Sequence, residues 1–239
     1  MNYAWDWLVF FRQSVTGEGF YWEMVLRGVV WTISLSLASW VLALLIGTVA
    51  GVARTLQQPV VRGIAMVYVH CFRNIPLIVQ LFLWYFVVPE LLPEQWGTAI
   101  KQMNPTTNQF LTVLVCLTLY SGAKAAEQVR AGIESLPIAQ TYAAKALGLT
   151  SFNLYRFVLL PQAFRVVIPP LTSDFLNVFK NSAVALTIGL LELTGMTRQV
   201  SEFSAQPFES YLLATVIYMM VTYAVIIGMR NIERRVKLP

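Results

Sequence analysis

Tyr142-Ala143-Ala144-Lys145-Ala146-Leu147-Gly148-Leu149-Thr150-Ser151 lies inside a polar, alanine-rich passage, Leu136 to Gln162, that separates two strongly apolar segments. The passage is too polar to cross a membrane. Ala143, Ala144 and Ala146 make a helical turn with small side chains that would not obstruct a partner's cleft. Gly148 suits the left-handed conformation that ends a helix. Thr150 or Ser151 suits the cap of the next helix, and Pro161 suits its end. The expected product is a helix, turn, helix elbow over about 136–162 that projects from the bilayer and passes force between proteins. The plainer alternative is a pair of amphipathic helices resting on the membrane surface.

The flanking segments set the class. The chain has 239 residues, 57% of them hydrophobic and 12% charged, against about 25% charged in an ordinary soluble domain. No charge occurs between Arg27 and Arg54 or between Glu209 and Arg230. Either run can cross a hydrocarbon core of about 30 Å at about 1.5 Å per residue. Gly63 to Val88, Phe110 to Gly132 and Val166 to Leu191 read as further spans interrupted by polar residues. The expectation is an all-α integral membrane protein with about five transmembrane helices. The alternating ten-residue segments of a membrane barrel are absent.

Residues 1–26 read as an interfacial lead-in anchored by Trp5, Trp7 and Trp22, without the short basic pattern of a cleavable signal. Residues 27–229 read as the membrane domain and 230–239 as a basic tail. Arg54, Arg62, Lys145, Arg156, Arg165, Arg230, Arg234, Arg235 and Lys237 fall on one side of the predicted spans, against Arg12, Arg27, Lys101 and Arg198 on the other. The positive-inside rule puts the first set, the elbow and the carboxyl terminus in the cytoplasm, and the amino terminus in the periplasm. The formal charge of +5 follows from this topology in contact with membrane lipid and calls for no nucleic-acid partner. The chain has no G-x-x-x-x-G-K-[ST] phosphate loop, no H-E-x-x-H, and in His70 a single histidine that cannot make a multi-histidine metal site. No catalytic residues, metal site or cofactor are expected in it, and nucleotide energy would have to come from another subunit.

Tyr142 to Gly148, followed after a short interval by Val158-Leu159-Leu160-Pro161, resembles the EAA loop of the permease subunits of ABC importers, with Tyr142 where that pattern usually has glutamate. Phe72-Arg73-Asn74-Ile75-Pro76-Leu77-Ile78-Val79-Gln80-Leu81 resembles a segment of the polar amino-acid branch, with Asn74-Ile75 in place of Gly-Thr. Ala126-Glu127-Gln128-Val129-Arg130-Ala131-Gly132-Ile133 and the stretch from Pro169-Pro170 to Phe179-Lys180-Asn181-Ser182 resemble two more. Glu90 to Glu94 and the tail from Glu233 resemble the glutamate/aspartate import branch. The resemblance runs from about Arg27 to the end and implies a type I importer permease fold in the bacterial inner membrane. It also implies a second permease in a heterodimer, two cytoplasmic ABC ATPases that bind the ATP and magnesium, and a periplasmic amino-acid-binding protein. ATPase coupling would fall to Tyr142, Ala143, Ala144, Gly148 and Pro161.

Polar groups within the spans are the candidates for the solute pathway, because charge inside a membrane usually faces protein, water or solute. Arg73 reads as a snorkelling or pairing arginine or as a solute contact, and Gln80, one turn beyond a kink at Pro76, as a pathway residue. Lys124 and Glu127 share a helix face, which allows either an internal ion pair or a buried cation for an anionic solute. Asp174, Asn177 and Asn181 recur at helical spacing as a polar stripe facing a pore or a second subunit, with Lys180 close by. Arg73, Lys124, Arg130 and Lys180 outnumber Glu127 and Asp174, which favours an acidic substrate. The expected function is ATP-driven import of polar amino acids, glutamate or aspartate first. The alternatives are the same fold serving glutamine or basic or neutral amino acids, and a membrane scaffold that transports nothing.

Overall fold

The computed structural model describes residues 3–17 and 19–236. Met1, Asn2 and Glu18 of the lead-in and Lys237, Leu238 and Pro239 of the tail lie outside the described residues. The described chain is helical: α1 (Tyr21–Thr55), α2 (Pro59–Asn74), α3 (Leu77–Phe82), α4 (Val88–Leu91), α5 (Glu94–Lys101), α6 (Pro105–Glu134), α7 (Ile138–Ala146), α8 (Ser151–Asn153), α9 (Leu160–Asn181), α10 (Leu193–Ser204) and α11 (Pro207–Val236). α1, α6 and α11 are each long and apolar enough to cross a bilayer, and two bent helix pairs bring the candidate spans to as many as five. The expected membrane fold is therefore the observed one.

Prolines divide the remaining spans in ways that their positions alone do not reveal. At Pro76 the chain does not kink but breaks: Ile75 is extended, at φ −91° and ψ 132°, because the proline ring excludes the helical conformation from the residue before it. Pro161, expected to end a helix, instead sits in the first turn of α9. A π-helical turn, Leu154–Leu159, precedes it. Widening the turn there makes room for the ring at the carbonyl four residues back and removes the need for the missing N–H. Helix therefore continues from the elbow into the span.

The chain forms two compact units. The first comprises 1–38, 78–116 and 179–225, and the second 39–77, 117–178 and 226–239. In the first, Val9 and Phe10 of the lead-in are buried with Tyr21, Met24, Val25, Leu193 and Val200, while Trp5, Trp7 and Trp22 remain exposed. The lead-in is thus partly folded into the core as well as presenting aromatic anchors. Two wholly buried carboxylates fix this unit. Glu192 caps α10, accepting from Gly195 N–H (3.0 Å), the Thr32 hydroxyl (3.2 Å) and the Tyr218 hydroxyl (2.9 Å). Glu209 accepts from the Asp6 N–H (2.7 Å) and from the Tyr3 hydroxyl.

In the second unit α1 and α6 approach through small residues. A Cβ placed on Gly47 would lie 2.7 Å from the Ala125 Cβ and 2.8 Å from the Gly122 carbonyl oxygen. Small residues at such contacts let backbones meet where lipid supplies no hydrophobic drive for association. Trp40 stacks on Phe175 of α9 with centroids 5.2 Å apart, and the Tyr68 hydroxyl of α2 donates to the Leu119 carbonyl of α6 at 2.8 Å. Gly47→Val should overpack the α1 and α6 contact at a cost of about 1–3 kcal/mol. The thermal unfolding midpoint of the purified permease should fall accordingly, and an unchanged midpoint would refute the contact.

Candidate functional site

The elbow forms as its sequence dictates. α7 ends at Ala146, Gly148 takes φ +78°, and its N–H donates to the Lys145 carbonyl at 2.9 Å while Leu149 N–H reaches Ala144 at 3.1 Å. Left-handed backbone at this point suits glycine, which has no Cβ to crowd the carbonyl. Thr150 then caps the next helix, accepting from the Asn153 N–H at 3.3 Å. Tyr142, at 62% exposure, and Leu147, at 80%, face outward, with Ala143 and Ala146 also exposed.

Of the three small residues expected to leave room for a partner, Ala144 faces inward. It is buried among Val129 and Ile133 of α6, Leu154 and Leu159 of the π turn, and Ala163 of α9. Small size at this position allows α7 to lie close against two membrane helices. The outward face instead carries Tyr142, Ala143, Ala146 and Leu147. Behind the elbow is a cavity of about 550 Å³ lined by residues that include Gln57, Glu134, Thr141, Lys145 and Tyr155.

The second unit also gathers charge at the end of α6. Glu127 receives guanidinium groups from three directions: Arg54 of α1, Arg73 of α2 at 3.3 Å, and Arg130 of its own helix at 2.5 Å. Arg130 in turn pairs with Glu134. Arg130 and Glu134 are four apart on one helix and Glu127 precedes Arg130 by three, so these pairs follow from helical spacing. Arg54 lies 73 positions away in sequence from Glu127, and only the packing of α1 on α6 reveals it as a partner.

Lys124 does not make the ion pair with Glu127 that the spacing allows. Its ammonium lies over the Tyr120 ring, 4.4 Å from the centroid, an attraction between a cation and the negative face of the ring. Asp174 is half-buried and one of its carboxylate oxygens has no hydrogen-bond partner among the described residues. Lys124, Arg73, Glu127 and Asp174 thus share the second unit, together with the half-buried Asn177. Gln80, Lys180 and Asn181 belong to the first unit, where Gln80 is buried, Lys180 exposed and Asn181 half-buried.

The elbow is thus seated on α6 and α9, with a charged cluster on α6 beside it. Residues 23–238 match the model of the family described as binding-protein-dependent transport system inner membrane component. This chain belongs to that family. It is 42% identical over 240 residues to the glutamate/aspartate import permease protein GltJ of Escherichia coli K12, covering all of this chain and 98% of that one. It is 32% identical over 205 residues to the arginine transport system permease protein ArgU of Corynebacterium glutamicum, covering 85% of this chain and 65% of that one. Among solved structures it resembles an amino acid ABC transporter crystallised with histidines, with a TM-score of 0.75 and 26% identity over 90% of this chain and 95% of that one. The family member is a multi-pass inner-membrane permease subunit of an ABC importer, and is not itself an ATPase.

Replacing Glu127 by alanine leaves Arg54, whose side chain is only 10% exposed, without its carboxylate, whereas Arg73→Ala removes a guanidinium that is 44% exposed. Glu127→Ala should therefore destabilise by about 1–3 kcal/mol and Arg73→Ala by much less. Thermal melts of the two variants side by side check the order.

Proposed function

We propose that this chain is one permease subunit of an ATP-driven importer whose solutes are glutamate and aspartate. The 42% identity with GltJ, over all of this chain and 98% of that one, carries the reading. Its chemistry is supported by Lys124, a membrane cation that pairs with no carboxylate among the described residues, and by the buried, unpartnered carboxylate oxygen of Asp174. An acidic amino acid offers one ammonium and two carboxylates. Lys124 and Arg73 would receive carboxylate, and Asp174 the ammonium, with Asn177 completing the polar wall. The arginine named for ArgU is the chief rival. A cationic side chain would meet Lys124 and Arg73 with like charge, which favours the acidic solutes.

Partner ATPases would hold the ATP and magnesium, receive the outward face of α7 in a cytoplasmic groove, and push it when they close. Because Ala144 is packed on α6 and α9, that push reaches the helices bearing Lys124 and Asp174 without slack. Alternating access then follows as a shift between two packed arrangements. A second, different permease would supply the other half of the pathway, and a periplasmic amino-acid-binding protein would deliver the solute. In this orientation the amino terminus is periplasmic and the carboxyl terminus cytoplasmic.

Uptake into proteoliposomes holding the full complex tests both parts. Lys124→Met should lower glutamate uptake about tenfold, the equivalent of about 1.4 kcal/mol, while leaving basal ATP hydrolysis unchanged. Undiminished uptake would remove Lys124 from the solute path. Leu147→Asp should leave the permease folded but abolish the stimulation of ATP hydrolysis by loaded binding protein. Full stimulation would mean that the ATPase grips another face.

A further inference from the structure

A second cavity, of about 510 Å³, opens on the flank of the second unit between α1 and α2. Leu45, Ile46, Val49, Ala50 and Ala53 of α1 and Val61, Ile64, Ala65 and Tyr68 of α2 line it. Apart from the Tyr68 hydroxyl, which is committed to the Leu119 carbonyl, the walls are hydrocarbon. Residues 56–58 join the two helices, and the loop that follows a membrane-spanning helix such as α1 lies at the headgroup level. From that end the lining descends eight residues along α1, from Ala53 to Leu45, or about 12 Å at helical rise. This depth matches one leaflet, about half of a 30 Å hydrocarbon core. Next to the lining residue Val61, in the first turn of α2, Arg62 is exposed and makes no ion pair among the described residues.

We infer that this groove is a phospholipid site: one acyl chain lies between α1 and α2, and an anionic headgroup places its phosphate on Arg62. The depth favours this occupant over a helix of another subunit, which would continue through both leaflets, whereas the groove stops at Tyr68. The unpaired guanidinium supplies the charge complement, as basic residues between membrane helices do for anionic headgroups. Retaining a chain here would brace the end of α1 that carries Arg54 onto Glu127. The site is independent of which amino acid the importer carries.

The test is native mass spectrometry of the purified transporter complex after exchange into detergent containing equal phosphatidylglycerol and phosphatidylcholine. Wild type should retain phosphatidylglycerol preferentially. Arg62→Gln should reduce that preference about fivefold, the contribution of one basic residue near an anionic headgroup. Val49→Trp, which fills the groove from its lipid-facing rim, should lose the bound lipid of either kind. Equal retention of the two lipids by wild type, or retention unchanged in Val49→Trp, overturns the site. So does disulfide trapping of Ile64→Cys by cysteines placed along the second permease, which would mean that a protein helix fills the groove.

Discussion

The contact of α1 on α6 through Gly47, Gly122, Ala125 and Ala126 is the constraint on which the second unit depends. In lipid, exposing aliphatic surface costs nothing, so helices associate by the closeness of their backbones and by polar pairs across the seam. Ala125 and Ala126 are fully buried, and one residue further along α6 stands Glu127. The same close approach carries Arg54, near the end of α1, to that carboxylate. A bulkier seam would hold the two charges apart, and each would then face a low-dielectric environment without its partner. Packing and electrostatics are one arrangement here: the small residues set the distance and the ion pairs fix the register.

The elbow is built onto this frame. Its inner face is apolar and shared with α6 and α9, and its outer face carries Tyr142 and Leu147 largely exposed. Close-packed interiors transmit displacement because they have few voids to absorb it. Helix also runs without a break from α8 through the π turn into α9. A π turn at this point also reconciles Pro161 with a helix that must not break.

The first unit solves a different problem, the fixing of helix ends near the membrane. Glu192 caps α10 while receiving hydroxyls from α1 and α11, and Glu209 at the start of α11 binds the lead-in through Tyr3 and the Asp6 N–H. Each buried carboxylate is satisfied by several donors, the condition under which such a group can be buried without a large penalty. The lead-in is consequently part of the fold, and its exposed tryptophans are presented from a fixed base.

Much of this was legible in the residues taken in order. Uncharged runs gave two of the spans, α1 and α11, because crossing hydrocarbon demands a length of apolar helix that no other context requires. Gly148 and Thr150 announced the turn and cap of the elbow through local backbone chemistry. What sequence could not decide was direction and partnership. Ala144 and Ala143 are alike in sequence, yet one is buried and the other exposed. Lys124 is spaced to reach Glu127, yet Arg54 and Arg73 from distant segments take that carboxylate and leave Lys124 to Tyr120. Spans, turns and caps depend on interactions within a few residues, which the order of amino acids fixes by itself. Which face is buried and which charge meets which depends on helices brought together across the bundle, and only the tertiary structure settles that.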